Sequence, residues 1–142
     1  MAKTVGIGIQ DLEDLITGDC FYVDKTMFIK EWWENRDSVT LITRPRRFGK
    51  TLNINMLERF FSAEYAGRGE VFEGLAIWKE ESYRKLQGSH PVIALSFAGV
   101  KENTYEKARR KICGILEDLY LRMLLSWRVG CWERRTASIS GV

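Results

Sequence analysis

The sequence predicts an α/β fold. Two short apolar runs rich in β-branched residues, at 39–43 and 92–97, have the composition of buried parallel strands. Each is followed by a stretch with helical periodicity, and the first run is separated from its helix by a cationic loop ending in Gly49-Lys50-Thr51. At 142 residues, 45% apolar and 29% charged, the chain has the size and composition of one globular domain.

The chain opens with Val5, Ile7 and Ile9 on a two-residue period, the mark of an extended entry segment. Asp11 is placed to cap a short helix reaching about Ile16, with Gly18 as its stop. Asp24 is expected to cap a second helix over residues 25–35, whose apolar face is Phe28, Ile29, Trp32 and Trp33. After the first strand candidate and the loop at 44–50, Leu52, Met56, Leu57, Phe60 and Phe61 fall at helical spacing over residues 51–61. Residues 64–78 read as a glycine-punctuated connection, and residues 80–86 as a short polar helix. The turn Gly88-Ser89-His90-Pro91 introduces the second strand candidate. A long amphipathic helix is expected over residues 104–120, with Ala108, Ile112, Ile115, Leu116 and Leu119 inward. His90 and Ser96 have no partner in the sequence pattern that would make them catalytic, and no catalytic residue is assigned.

The net charge of +3 does not describe a basic surface. Residues 1–121 hold 18 Lys and Arg against 18 Asp and Glu, and the excess lies wholly in residues 122–142. A general attraction to nucleic acid or membrane needs a sustained basic face. Cys20, Cys113 and Cys131 form no CxxC pair and have no histidine nearby, so they suggest neither a disulfide framework nor a zinc site. A reducing compartment suits them. The first residues lack a secretory pattern and no run approaches the ~20 apolar residues of a membrane helix, so the expectation is a cytoplasmic chain with no membrane partner.

The chemistry concentrates in the loop. A turn between strand and helix that ends in Gly-Lys-Thr can direct backbone N–H groups at a nucleotide's phosphates, with the positive end of the helix dipole behind them. Lys50 would reach the terminal phosphates and the Thr51 hydroxyl would ligate Mg²⁺. The run Arg44-Pro45-Arg46-Arg47-Phe48-Gly49-Lys50-Thr51 departs from GxxxxGK[ST] in having Arg44 where the first glycine belongs. Four cations then crowd a helix N-terminus, where the dipole disfavours positive charge, and a bound polyanion would relieve them.

Three stretches together resemble a known family. Tyr22-Val23-Asp24-Lys25-Thr26, then Thr43-Arg44-Pro45-Arg46-Arg47-Phe48-Gly49-Lys50-Thr51, then Pro91-Val92-Ile93-Ala94-Leu95-Ser96-Phe97 look like the YVDKT, TRPRRFGKS/T and PVIxLSF motifs of the bacterial AAA-ATPase-like family of P-loop ATPases. The resemblance covers about residues 5–121. It implies a P-loop NTPase-like three-layer fold with a mostly parallel sheet. It also implies ATP binding at Gly49, Lys50 and Thr51, with Mg²⁺ beside the phosphates and Thr51 as the metal ligand; Arg46, Arg47 and Leu52 are further candidate binding residues. Arg46 and Arg47 either touch phosphate or hold the loop through carboxylates, and Asp24 and Lys25 either serve structure or contact nucleotide. Longer members look like fusions to a PD-(D/E)xK nuclease-like domain, which brings nucleic acid into the full-length context. AAA-type proteins often work as oligomers.

No acidic residue of the Walker B kind follows a strand after Lys50, so the fold is expected to be incomplete, cut before that strand, and the ATP-binding module to be hydrolysis-deficient. Residues 1–121 are read as the N-terminal part of the AAA-ATPase-like domain. Residues 122–142, rich in Trp, Arg, Cys and Ser, are read as an atypical tail produced by a frameshift or as an authentic basic tail. Two other functions stay open: a nucleic-acid-binding module built on Arg44, Arg46, Arg47 and Lys50, and a non-functional gene fragment.

Overall fold

The computed structural model describes residues 4–6 and 8–126. Ile7, Cys131 and the rest of the atypical tail beyond Ser126 lie outside the described residues. The chain divides into two compact units, one ending at Val92 and the other beginning at Ile93.

The first unit is built from helices and turns. Helix α1 spans Leu12–Thr17, and Asp11 caps it as expected, its Oδ1 accepting from the amides of Glu13 at 2.8 Å and Asp14 at 3.5 Å. Gly18 ends it, its amide donating to the Asp14 carbonyl. Helix α2 spans Met27–Asn35 and stops where Arg36 turns left-handed at φ 53°. Helix α3 spans Lys50–Phe61. The connection that follows is wound into three 3₁₀ turns, Ala63–Tyr65, Gly69–Phe72 and Ala76–Lys79, and leads to the single-turn helix α4, Glu81–Arg84. At Gly69 a Cβ would stand 2.1 Å from the Trp78 ring, so only glycine admits the indole there.

The α3 periodicity builds the core. Met56, Phe60 and Phe61 face Leu12 of α1, Ile29 of α2 and Val71, Phe72, Ile77 and Tyr83 of the connection. Phe60 and Phe72, both fully buried, meet edge to face at 5.2 Å between centroids. Such pairs contribute about 0.5–1.5 kcal/mol beyond their area burial. Ion pairs tie α3 to α1: Arg59 donates to Asp11 Oδ2 at 2.6 Å and to Glu13 Oε2, and Asn55 accepts from the Leu12 amide at 2.9 Å. Burial works against the Asp11 carboxylate, but Arg59 and the two capping amides outweigh it and hold its pKa below the usual value.

The expected parallel sheet is not seen among the described residues. Among the described residues there is no sheet, only two isolated parallel bridges, Thr4 with Cys20 and Ser62 with His90. Residues 39–43 and 92–97 have no regular secondary structure and form no ladder. Their β-branched composition expresses a preference for a pleated, buried setting. A strand also needs neighbours to satisfy its backbone and cover its faces, and here Val39 is 85% and Leu41 81% exposed. The three-layer P-loop architecture is therefore not seen, and the chain is helical.

The described part of the second unit comprises residues 93–97 without regular structure, a turn, and helix α5, Tyr105–Ser126. Thr104 starts α5, accepting from the Lys107 amide through its hydroxyl and the Ala108 amide through its carbonyl. The helix passes Tyr120 because Leu121, Met123, Leu124 and Leu125 are all good helix formers and no Gly or Pro interrupts them. Ala108, Ile112, Ile115 and Leu119 are half-buried, whereas Leu116, expected inward, is exposed.

Candidate phosphate-binding site

Residues 44–51 form a turn at Arg46 and Arg47 and a bend at Phe48 and Gly49, after which α3 begins at Lys50. The backbone takes left-handed values at Arg47, φ 68°, and at Gly49, φ 73°. Gly49 is the N-cap of α3, and its glycine identity answers that conformation rather than crowding, since a Cβ there would meet nothing within 4 Å. A left-handed Gly49 followed by a right-handed, helical Lys50 turns successive N–H groups to one side, the concave arrangement that holds anions. No side chain caps the α3 N-terminus. The first intrahelical bond there is from the Asn53 amide to the Gly49 carbonyl at 2.9 Å, which leaves the preceding amides directed out of the helix end.

Electrostatics points the same way. Arg44, Arg46 and Arg47 are exposed and Lys50 half-buried, and among the described residues none of the four has an ion pair. The ion pairs lie elsewhere, with Asp11 and Glu13 on Arg59 and Glu80 on Lys30. Arg46 and Arg47 therefore do not hold the loop through carboxylates within the described structure. The Thr51 residue is exposed beside Lys50. Leu52 packs its side chain against the core, so only its backbone is free to serve a ligand.

Asp24 has a different occupation. Its Oδ1 accepts from the Thr26 amide at 2.8 Å and the Thr26 hydroxyl at 2.7 Å, and its Oδ2 accepts from the Ala76 amide at 2.7 Å. The fully buried Thr26 hydroxyl accepts in turn from the Ile77 amide at 3.1 Å. Asp24 thus acts two residues ahead of the N-cap of the helix it was expected to cap, since α2 has Thr26 as its N-cap and no side-chain capping bond. It clamps the start of α2 to the 3₁₀ turn at Ala76–Lys79. Burial opposes its charge, but the Thr26 and Ala76 bonds and the Lys79 charge prevail and hold its pKa low.

Sequence reasoning missed one tether ahead of the loop. Trp32 Nε1 donates to Thr40 Oγ1 at 3.1 Å, and the indoles of Trp32 and Trp33 lie against Phe61 at 5.6 and 5.1 Å. The aromatic periodicity marked Trp32 as core, but nothing in the pattern names a hydroxyl eight residues on as its partner.

Comparison with known proteins agrees on the family. The AAA-ATPase_like family model, described as "Predicted AAA-ATPase", matches residues 6–137. The "Uncharacterized protein in vnfD 5'region" of Azotobacter chroococcum mcd 1 is 36% identical over 98 residues, 68% of this chain and 17% of that protein. The chain thus spans about a sixth of the length of the curated relative it matches. No solved structure matches the chain.

Proposed function

Because the chain belongs to the AAA-ATPase-like family of predicted AAA-type ATPases, we propose that residues 44–52 bind the phosphates of ATP, with Mg²⁺. One observation carries this reading: an uncapped α3 N-terminus, preceded by a left-handed glycine and surrounded by four cations without ion pairs among the described residues. A neutral ligand would leave those charges crowded at the positive end of a helix dipole. A polyphosphate satisfies amides and cations together.

In this reading the amides of Gly49, Lys50, Thr51 and Leu52 orient the phosphate chain and the Lys50 ammonium neutralises its distal oxygens. Arg46 and Arg47 add charge from the turn. The donor set fits Mg²⁺ as nucleotide sites hold it, since this ion keeps several waters and takes few protein ligands beside the phosphates, here the Thr51 hydroxyl. When bound it would neutralise charge on the phosphate oxygens. A fluorescent ATP analogue titrated with Mg²⁺ tests the reading: the chain binds and Lys50→Ala abolishes the signal. Equal binding by the variant would sink it.

A second reading rests on Phe48, which is 58% exposed in the middle of the cationic loop and offers a ring for base stacking. It makes the loop a single-stranded nucleic-acid contact. Its signature is a steep fall of affinity with salt, and binding insensitive to salt would reject it.

A further inference from the structure

We propose that Trp32 is a positioning residue for the phosphate loop, fixing the loop's entry and its exit helix to one place on α2. The inference rests on the reading of residues 44–52 as a phosphate site. The loop's entry is poorly held by other means. Beyond the local turn at Arg46 and Arg47, the Trp32–Thr40 hydrogen bond is the one hydrogen bond, ion pair or ring contact joining residues 38–48 to the rest of the described chain. Burial does not replace it, since Val39 and Leu41 are in solvent and only Ile42 is half-buried.

The same indole packs against the C-terminal end of the exit helix, about 16 Å along α3 from Lys50. Its ring lies 5.6 Å from that of Phe61, the last residue of α3, and Trp33 stacks on Phe61 at 22°. Phe61 is 4% exposed and belongs to the core. One side chain therefore bears on Thr40, ahead of the loop, and on the far end of the helix that Lys50 begins. A phosphate cradle requires its amides and cations to converge before the ligand arrives, since ordering a loose loop on binding subtracts from affinity. Trp32 supplies that order without reaching the ligand.

Three variants separate this role from general stability. Thr40→Val keeps shape and removes the acceptor, Trp32→Phe keeps a ring on Phe61 and removes the donor, and Thr40→Ser restores the hydroxyl. Thr40→Val and Trp32→Phe should each weaken binding of a Mg²⁺–ATP analogue about fivefold, the worth of one ordinary hydrogen bond. The double variant should be no weaker than Trp32→Phe, and Thr40→Ser should bind as the parent does. In the free chain, ¹⁵N heteronuclear NOE values over residues 41–49 should fall in Thr40→Val and return to the parent values in Thr40→Ser. Parent-like binding and parent-like NOE values in Thr40→Val, or failure of Thr40→Ser to rescue, would overturn the positioning role while leaving the phosphate site intact. Absence of nucleotide binding by the parent chain would instead overturn the site itself, and the inference with it.

Discussion

Replacing Asp24 by Asn tests the clamp that joins α2 to the following turns. The carboxylate accepts three hydrogen bonds, two on Oδ1 from Thr26 and one on Oδ2 from the Ala76 amide. Asparagine keeps one acceptor and turns an NH₂ group toward a donor, so either the Thr26 side or the Ala76 side loses its partner. A hydrogen bond to a charged group is worth about 1.5–3 kcal/mol. The exposed position of Asp24 lowers that figure, and a loss of about 1–2 kcal/mol is expected. For a chain of this size that is roughly 3–10 °C in Tm. The pH dependence gives the sign. The folded pKa is depressed, so the stabilisation is fully present above the unfolded carboxylate value near ~4 and is lost as pH falls through the folded value. Thermal melts followed by circular dichroism should show the Asn variant less stable at pH 7, with the gap closing below about pH 4. An unchanged Tm at pH 7, or a gap of the same size at pH 3, would refute the clamp.

Phe60→Ala removes a fully buried ring from the centre of the core and should cost about 3–5 kcal/mol, read as a collapse of the urea midpoint; a shift under 1 kcal/mol would show that Phe60 is not central. Arg59→Met leaves Asp11 and Glu13 on α1 without their cation and should destabilise by about 1–2 kcal/mol at pH 7. Because the Asp11 pKa is also held low, that penalty should shrink as Asp11 protonates in acid, and a penalty constant from pH 7 to pH 3 would count against the pairing.

Local signals in the sequence proved the most legible. Asp11 and Gly18 bracket α1, and the spacing of Met56, Phe60 and Phe61 gives the face that α3 buries, because capping and helical periodicity are decided within a turn or two of chain. The sheet was misread for the opposite reason. Residues 39–43 and 92–97 have strand composition, but pairing is settled by partners far along the chain, and among the described residues neither stretch has one. Asp24 shows an intermediate case: its carboxylate was seen as a capping group, yet its second oxygen is claimed by Ala76, 52 residues away. The loop at 44–51 was readable as a unit because its residues are contiguous. Its tether at Thr40 was not, since a lone threonine in an apolar run carries no mark of the indole that binds it.

The central claim is that the α3 N-terminus receives phosphate. Amide chemical shifts recorded while Mg²⁺–ATP is added to the chain test it most directly. The account predicts saturable shifts centred on Gly49, Lys50, Thr51 and Leu52, lost in Lys50→Ala. Shifts absent from these four amides, or equal in the parent and the variant, would contradict it.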